Sequence, residues 1–400
     1  MKDLCVRQLR FRGILESRGV PTVEAELDFV CGSSGVASAP IAIKPGRMEK
    51  IHLRISELGD LDDIPEFANL RRVIEGREFF NQQVFDTYLE SLEIFQLLGA
   101  NVKMALSIAF CRATAEANGL TIVDHIARVS GSRPAMPRLL ANVYSGGIHD
   151  RSGGLPFQQI MFVPDDTDLK TCIEAVLRVF NSVEREVVEN FVSTGLSASS
   201  GLIVEGALTN QLLDVLVKIV EQEIGNSPIT FIGLDVAGEH LREANGYRLK
   251  DELVSPEALL DLHLQCFANY PIVYFEDPFD PEDILQWRQL IRDKPSFVKI
   301  FGDDLFVTDG TRIDPELADG IVLKVNQNGT LSGALLAAKK ARALGLDLCV
   351  SHRSGETEDC FICDLAVALG AAFVKIGGPR RGDRVAKYNR LLRLWETLKK

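Results

Sequence analysis

Hydrophobic and polar positions alternate over residues 22–30, TVEAELDFV, a period of two that predicts a half-buried strand. The small residues that follow, CGSSGVASAP, cannot build a core, so a mobile loop is expected over 31–40. Helical spacing then dominates residues 85–120. Strands followed by helices predict an α+β domain, which we bound at residues 1–125.

Near residue 135 the pattern changes. FIGLD (231–235), PIVYFED (271–277), SFVKIFGDD (296–304), GIVLKV (320–325), LDLCVS (346–351) and AAFVKI (371–376) are short and mostly apolar on both faces. Such runs belong to parallel strands covered on both sides. Helical stretches such as 209–225 and 332–345 lie between them, and each ends in a glycine where a left-handed cap stops a helix. Repeated strand–helix units predict an α/β barrel over residues 126–400. An open doubly wound sheet competes, but no G-x-G-x-x-G follows a strand, which removes its dinucleotide-binding form.

A chain of 400 residues has room for two cores, because single cores stop growing at roughly 250–300 residues. Its net charge of −12 argues against a nucleic-acid partner. No apolar run approaches the ~18 residues of a membrane span. Charges break up the opening MKDLCVRQLRFRG, so a cytoplasmic protein is expected. Eight irregularly spaced cysteines indicate reduced thiols. Cys360 and Cys363 form a C-x-x-C pair, but no second pair exists to complete a four-thiol metal site, and they fit a helix.

In a barrel, the side chains that end strands at their C-terminal side face the active site. Here those positions carry Asp235, Glu276, Asp303, Lys324, His352 with Arg353, and Lys375. One acid at a strand end is ordinarily a helix cap. Six ionisable ends in succession ask for another explanation. Three carboxylates from neighbouring strands make a hard oxygen site for Mg²⁺. Asp277 and Asp304 follow two of them, either as their supports or as caps. Lys324 is either a lysine reaching to the barrel rim or a general base whose pKa is depressed by metal and burial. Arg353 and Ser354 offer a planar fork and a hydroxyl to a phosphate or carboxylate, unless Arg353 pairs with Glu356 or Glu358.

ESRGVPTVE (16–24), FEDPFD (275–280), GDDLFVT (302–308), LKVNQNGT (323–330), SHRSGETED (351–359) and RVAKYNRLLR (384–393) resemble signature segments of the enolase family. The similarity runs across nearly the whole chain. It implies an N-terminal α+β domain, an enolase-type TIM-like barrel opening with two strands and two helices, and a homodimer. It further implies that Asp235, Glu276 and Asp303 bind Mg²⁺. Lys324 would take a proton α to a carboxylate, the arrangement known for that superfamily. Arg353 and Ser354 would hold the phosphate, with Gln158 and His352 also at the substrate and Lys375 on its carboxylate. His149, in SGGIHD, matches a catalytic histidine, and Ser34 matches a serine that helps to bind a second metal ion.

Three segments depart from the family. Its first loop reads S-G-A-S-T-G, against CGSSGV here. Its A-M-Q-E-F is PFQQI, which puts Gln159 in place of a glutamate. Its G-D-E-G-G-F falls on SASSGL (197–202), which puts Ser199 in place of another. Those glutamates assist departure of the substrate hydroxyl. His149 and Glu205 are the nearby groups that could take over. The resemblance thus implies an Mg²⁺-dependent enzyme that forms an enolate from a small phosphorylated carboxylate such as 2-phosphoglycerate or phosphoenolpyruvate. The alternatives are an enolase-like synthase of phosphonate metabolism (the carboxyphosphonoenolpyruvate synthase type), an ordinary enolase with a displaced acid, and a non-catalytic scaffold on the same fold.

Overall fold

The computed structural model describes residues 4–42, 47, 49, 57–147, 157–225 and 231–399. Strand Val6–Leu15 pairs antiparallel with Pro21–Phe29, which pairs antiparallel with Ser34–Ser38. The alternation in the second strand buries Ala25, Leu27 and Phe29 and turns Glu24 and Glu26 outward. Arg12 and Arg10 answer those acids across the ladder at 3.0 and 2.6 Å. Opposite charges facing each other on adjacent strands stabilise a sheet by a few tenths to about 1 kcal/mol per pair.

The stretch 31–40 is not a loop throughout, because Ser34–Ser38 is a strand packed on helix Phe95–Ala117. A Cβ on Gly35 would lie 2.1 Å from the Ala109 carbonyl oxygen. Small residues are what let strand and helix approach so closely, and the same smallness hides the strand's period.

The second domain is a closed barrel of eight strands: Arg138–Ser145, Gln159–Val163, Phe231–Asp235, Ile272–Glu276, Lys299–Gly302, Gly320–Leu323, Asp347–Ser351 and Phe373–Lys375. The eighth pairs with the first and closes the ring. The second runs antiparallel to both neighbours, and the others run parallel. The first two strands come before helices Leu169–Asn190 and Thr209–Ile224, with a hairpin of Val192–Leu196 and Leu202–Glu205 between the helices. Buried side chains including Leu140, Met161, Phe301 and Phe373 fill the ring, so it is a packed core and not a pore. Among the described residues, no helix is long and apolar enough to cross a membrane.

Polar ties lock the first domain to the barrel. Arg112 grips Asp359 through two bonds of 2.7 Å, and Asp86 accepts the backbone N–H of Ser332 at 2.9 Å.

Candidate active site

Parallel strands present their C-terminal ends on one face, and the ionisable residues converge there. Asp235 and Glu276 end the third and fourth barrel strands, and Lys375 ends the eighth. Lys375 Nζ reaches across the mouth to Asp235 Oδ2 at 2.7 Å and to the two Glu276 oxygens at 2.9 and 2.8 Å. Asp303 follows the fifth strand; its Oδ2 accepts from Lys324 Nζ and its Oδ1 from Gln327 Nε2 at 3.0 Å. Burial and the adjacent Asp235 charge push Glu276 up to about 7, against the pull of Lys375. Burial also works to raise Asp303, but Lys324, Arg353 and Lys375 hold it below the usual carboxylate range.

Two opposing influences act on the pKa of Lys324. Burial alone would lower it, but the Asp303 carboxylate reverses the sign and raises it. A paired ammonium is favoured over a neutral amine as long as the carboxylate stays on it.

Asp277, whose φ is +44°, accepts the backbone N–H groups of Asp303 and Asp304 on its two oxygens, both at 2.8 Å. It therefore braces the turn that carries Asp303 and Asp304 and does not cap a helix. Oxygens of Asp277, Asp303 and Asp304 gather within 4.8 Å of one another, close enough to hold an ion. Of the three, Asp303 and Asp304 line the cavity, whereas Asp277 faces their amides. Burial and mutual repulsion hold Asp277 and Asp304 well above the ordinary carboxylate range. Carboxyl oxygens gathered this closely suit a hard divalent cation, whose charge would favour their ionised forms. Asp303 belongs both to this cluster and to the expected ligand set with Asp235 and Glu276, so the residues present fit such an ion.

Neither acid expected for Arg353 takes its guanidinium. Nη2 bonds Glu49 Oε1 at 2.8 Å. Glu356 instead accepts the Arg353 backbone N–H at 2.9 Å and pairs with Lys387 at 3.0 Å, while Glu358 is exposed. Arg384, fully buried, donates to His352 Nδ1 and to the carbonyls of Ala198, Arg353 and Ser354 at 3.0, 2.9 and 2.9 Å. Its bond to Nδ1 leaves the imidazole proton on Nε2. Burial, reinforced by Arg384, holds the ring's pKa well below its ordinary value.

Gln158, Gln159 and Ser199 line the same cavity of about 70 Å³ as Asp235, Lys324, Arg353, Ser354 and Lys375. Gln159 stands opposite Asp235 in the antiparallel ladder, and Gln158 donates its backbone N–H to the Asp235 carbonyl at 2.9 Å. Gln159 Oε1 is buried without a partner among the described residues. Neutral groups tie the wall behind it: Ser145 meets Ser197 at 2.8 Å, and Asn142 donates to Ser145 and to the Ser199 carbonyl at 2.9 and 3.3 Å.

Two expected residues are not brought to this site. Ser34 is exposed at the start of its strand, opposite Asp28, with its N–H on Glu116 at 2.6 Å. Ala42 and Glu49, further along the chain, line the cavity instead. Glu205 is exposed on the hairpin opposite Val192. His149 lies outside the described residues. Gln327, Arg384 and Glu49 were not anticipated. Gln327 stands inside the signature segment LKVNQNGT, whereas no local pattern marks Glu49, 304 positions from its partner.

Two family descriptions match the chain: "Enolase, N-terminal domain" over residues 6–126 and "Enolase, C-terminal TIM barrel domain" over residues 134–400. The enolase of Methanopyrus kandleri is 34% identical over 415 residues, covering 98% of this chain and 95% of that protein. The enolase of Methanococcus maripaludis is 33% identical over 411 residues, with coverages of 98% and 95%. For the enolase of Campylobacter jejuni subsp. jejuni the identity is 31% over 405 residues, with coverages of 98% and 97%.

Proposed function

The chain belongs to the enolase family as an enolase-superfamily lyase, and on that premise we propose that it removes the proton α to the carboxylate of a small phosphorylated acid such as 2-phosphoglycerate, with Mg²⁺ at the strand ends. The observation that carries this reading is the convergence of Asp235, Asp303, Lys324, Arg353 and Lys375 on one small cavity. Asp235, Glu276 and Asp303 would hold the ion. When bound, it supplies positive charge against the second negative charge that develops on the substrate carboxylate as the proton leaves.

Lys324 Nζ takes the proton. It becomes a base to the extent that Asp303 gives its charge to another partner, since burial by itself favours the neutral amine. Arg353 offers a fork to the phosphate, and Lys375 an ammonium to the carboxylate. His352 contributes a fixed Nε2–H donor. Gln159 and Ser199 can hydrogen-bond a substrate hydroxyl but cannot protonate it at neutral pH. Losing a general acid typically costs about 10²–10⁴ in rate. Proton removal should therefore outlast dehydration. The same neutral wall favours, as a second reading, a synthase of the phosphonate-metabolism type that passes the carbanion to another electrophile.

Deuterium exchange tests this. In D₂O with Mg²⁺ the wild-type protein should exchange the α-hydrogen of 2-phosphoglycerate, and Lys324→Ala should not. Phosphoenolpyruvate, followed by its ultraviolet absorbance, should form slower than in ordinary enolases by about 10² or more. Equal exchange in the two proteins would remove Lys324 from its role. Phosphoenolpyruvate formed at ordinary enolase speed would mean that an acid is present after all.

A further inference from the structure

The interior of the barrel is apolar, lined by Leu140, Met161, Val163, Phe301, Val322 and Phe373. A hydroxyl there is costly unless it is bonded. Tyr274 is fully buried in that interior, two residues before Glu276 on the same strand, so both side chains point inward. Its hydroxyl donates to Glu276 Oε2 at 2.7 Å. The ring is clamped: it stacks on Phe301 with centroids 4.6 Å apart and meets the Phe373 ring at 5.3 Å and 65°. Glu276 is thus held from below by Tyr274 and from across the mouth by Lys375.

We propose that Tyr274 is a positioning residue for Glu276 that biases the strand-end site toward Mg²⁺ and against Ca²⁺. The inference rests on the metal reading above. A hydrogen bond to Oε2 fixes the plane of the carboxylate and takes one of its lone pairs. Both effects work against chelation of one ion through both oxygens. Ca²⁺ accepts more oxygens in looser geometry and readily takes carboxylates bidentately, whereas Mg²⁺ demands a near-octahedral set and is satisfied by one oxygen per carboxylate. Freezing Glu276 therefore penalises Ca²⁺ more than Mg²⁺. A tyrosine that had merely found a partner for its hydroxyl would leave ion preference unmoved.

Calorimetric titration of Mg²⁺ and of Ca²⁺, each alone, into the wild-type protein and Tyr274→Phe separates these cases. Phenylalanine keeps both ring contacts and removes only the hydroxyl, and the variant should melt close to the wild type. Partners that orient a metal ligand typically contribute about 10–100-fold in affinity, so Mg²⁺ binding should weaken by about tenfold or more. Ca²⁺ binding should be unchanged or tighter, and the Mg²⁺:Ca²⁺ preference should fall accordingly. Unchanged affinity for both ions, or an equal loss for both, would overturn the proposal. A wild-type protein that binds no Mg²⁺ would overturn the metal reading, and this inference with it.

Discussion

Glu49 holds the guanidinium of Arg353 at 2.8 Å, and the two side chains are 2% and 6% exposed. An anion that is to use the fork of Arg353 must compete with this internal carboxylate. Glu49→Gln should therefore bind 2-phosphoglycerate and inorganic phosphate more tightly, by about tenfold or ~1.4 kcal/mol. Titration calorimetry decides it. Weaker binding in the variant would mean that Glu49 helps to hold the ligand and does not compete for its site.

Arg353→Lys tests the fork itself. Lysine keeps the positive charge but loses the planar pair of donors, so affinity for 2-phosphoglycerate should fall by about tenfold or more. Equal affinities would show that charge alone suffices and would argue against bidentate recognition.

Asp303→Ala should greatly weaken Mg²⁺ binding and leave the barrel folded but less stable, because Lys324 and Gln327 lose their acceptor. Retained Mg²⁺ affinity in calorimetry would exclude Asp303 from the ligand set.

Asp277 acts through the turn that it braces. Losing an acceptor for two buried backbone N–H groups costs about 1–3 kcal/mol for each, so Asp277→Ala should lose several kcal/mol in urea unfolding. Asp277→Asn should lose less, since an amide oxygen still accepts and asparagine tolerates the positive φ. Equal stability in Asp277→Ala would refute the bracing role.

His263 provides a pH test away from the cavity. It is 1% exposed, its ring lies 4.9 Å from Phe275, and its Nε2 meets the Pro278 carbonyl at 3.0 Å. Burial lowers its pKa from 6.5 to about 4. The native ring stays neutral where the unfolded one is already protonated, so its contribution is present above pH 6.5 and lost as pH falls toward 4. Linkage puts the loss at about 3 kcal/mol at most. In His263→Gln, whose amide nitrogen can reach the same carbonyl, urea midpoints between these pH values should fall less steeply than in wild type. Identical slopes would disprove the assignment.

The barrel and its reactive rim were legible because parallel strands buried on both faces produce short apolar runs, and each run stops abruptly at an ionisable residue. That pattern alone located Asp235, Glu276, Asp303, Lys324, Arg353 and Lys375, and motif resemblance added Gln159 and Ser199. Strand Ser34–Ser38 was hidden, because the glycine and alanine that let it press on a helix carry no readable period. Ser34 was given to a second metal site by motif resemblance, whereas it is exposed at the start of that strand. Local sequence by itself determined which groups end each strand, since burial and periodicity act between neighbours in the chain. Tertiary structure alone decided their partners and hence their protonation: Glu49 on Arg353, Arg384 on His352, and Asp303 on Lys324. Electrostatic and hydrogen-bond energies depend on distance in space, and only the folded chain path sets that distance for residues far apart in sequence.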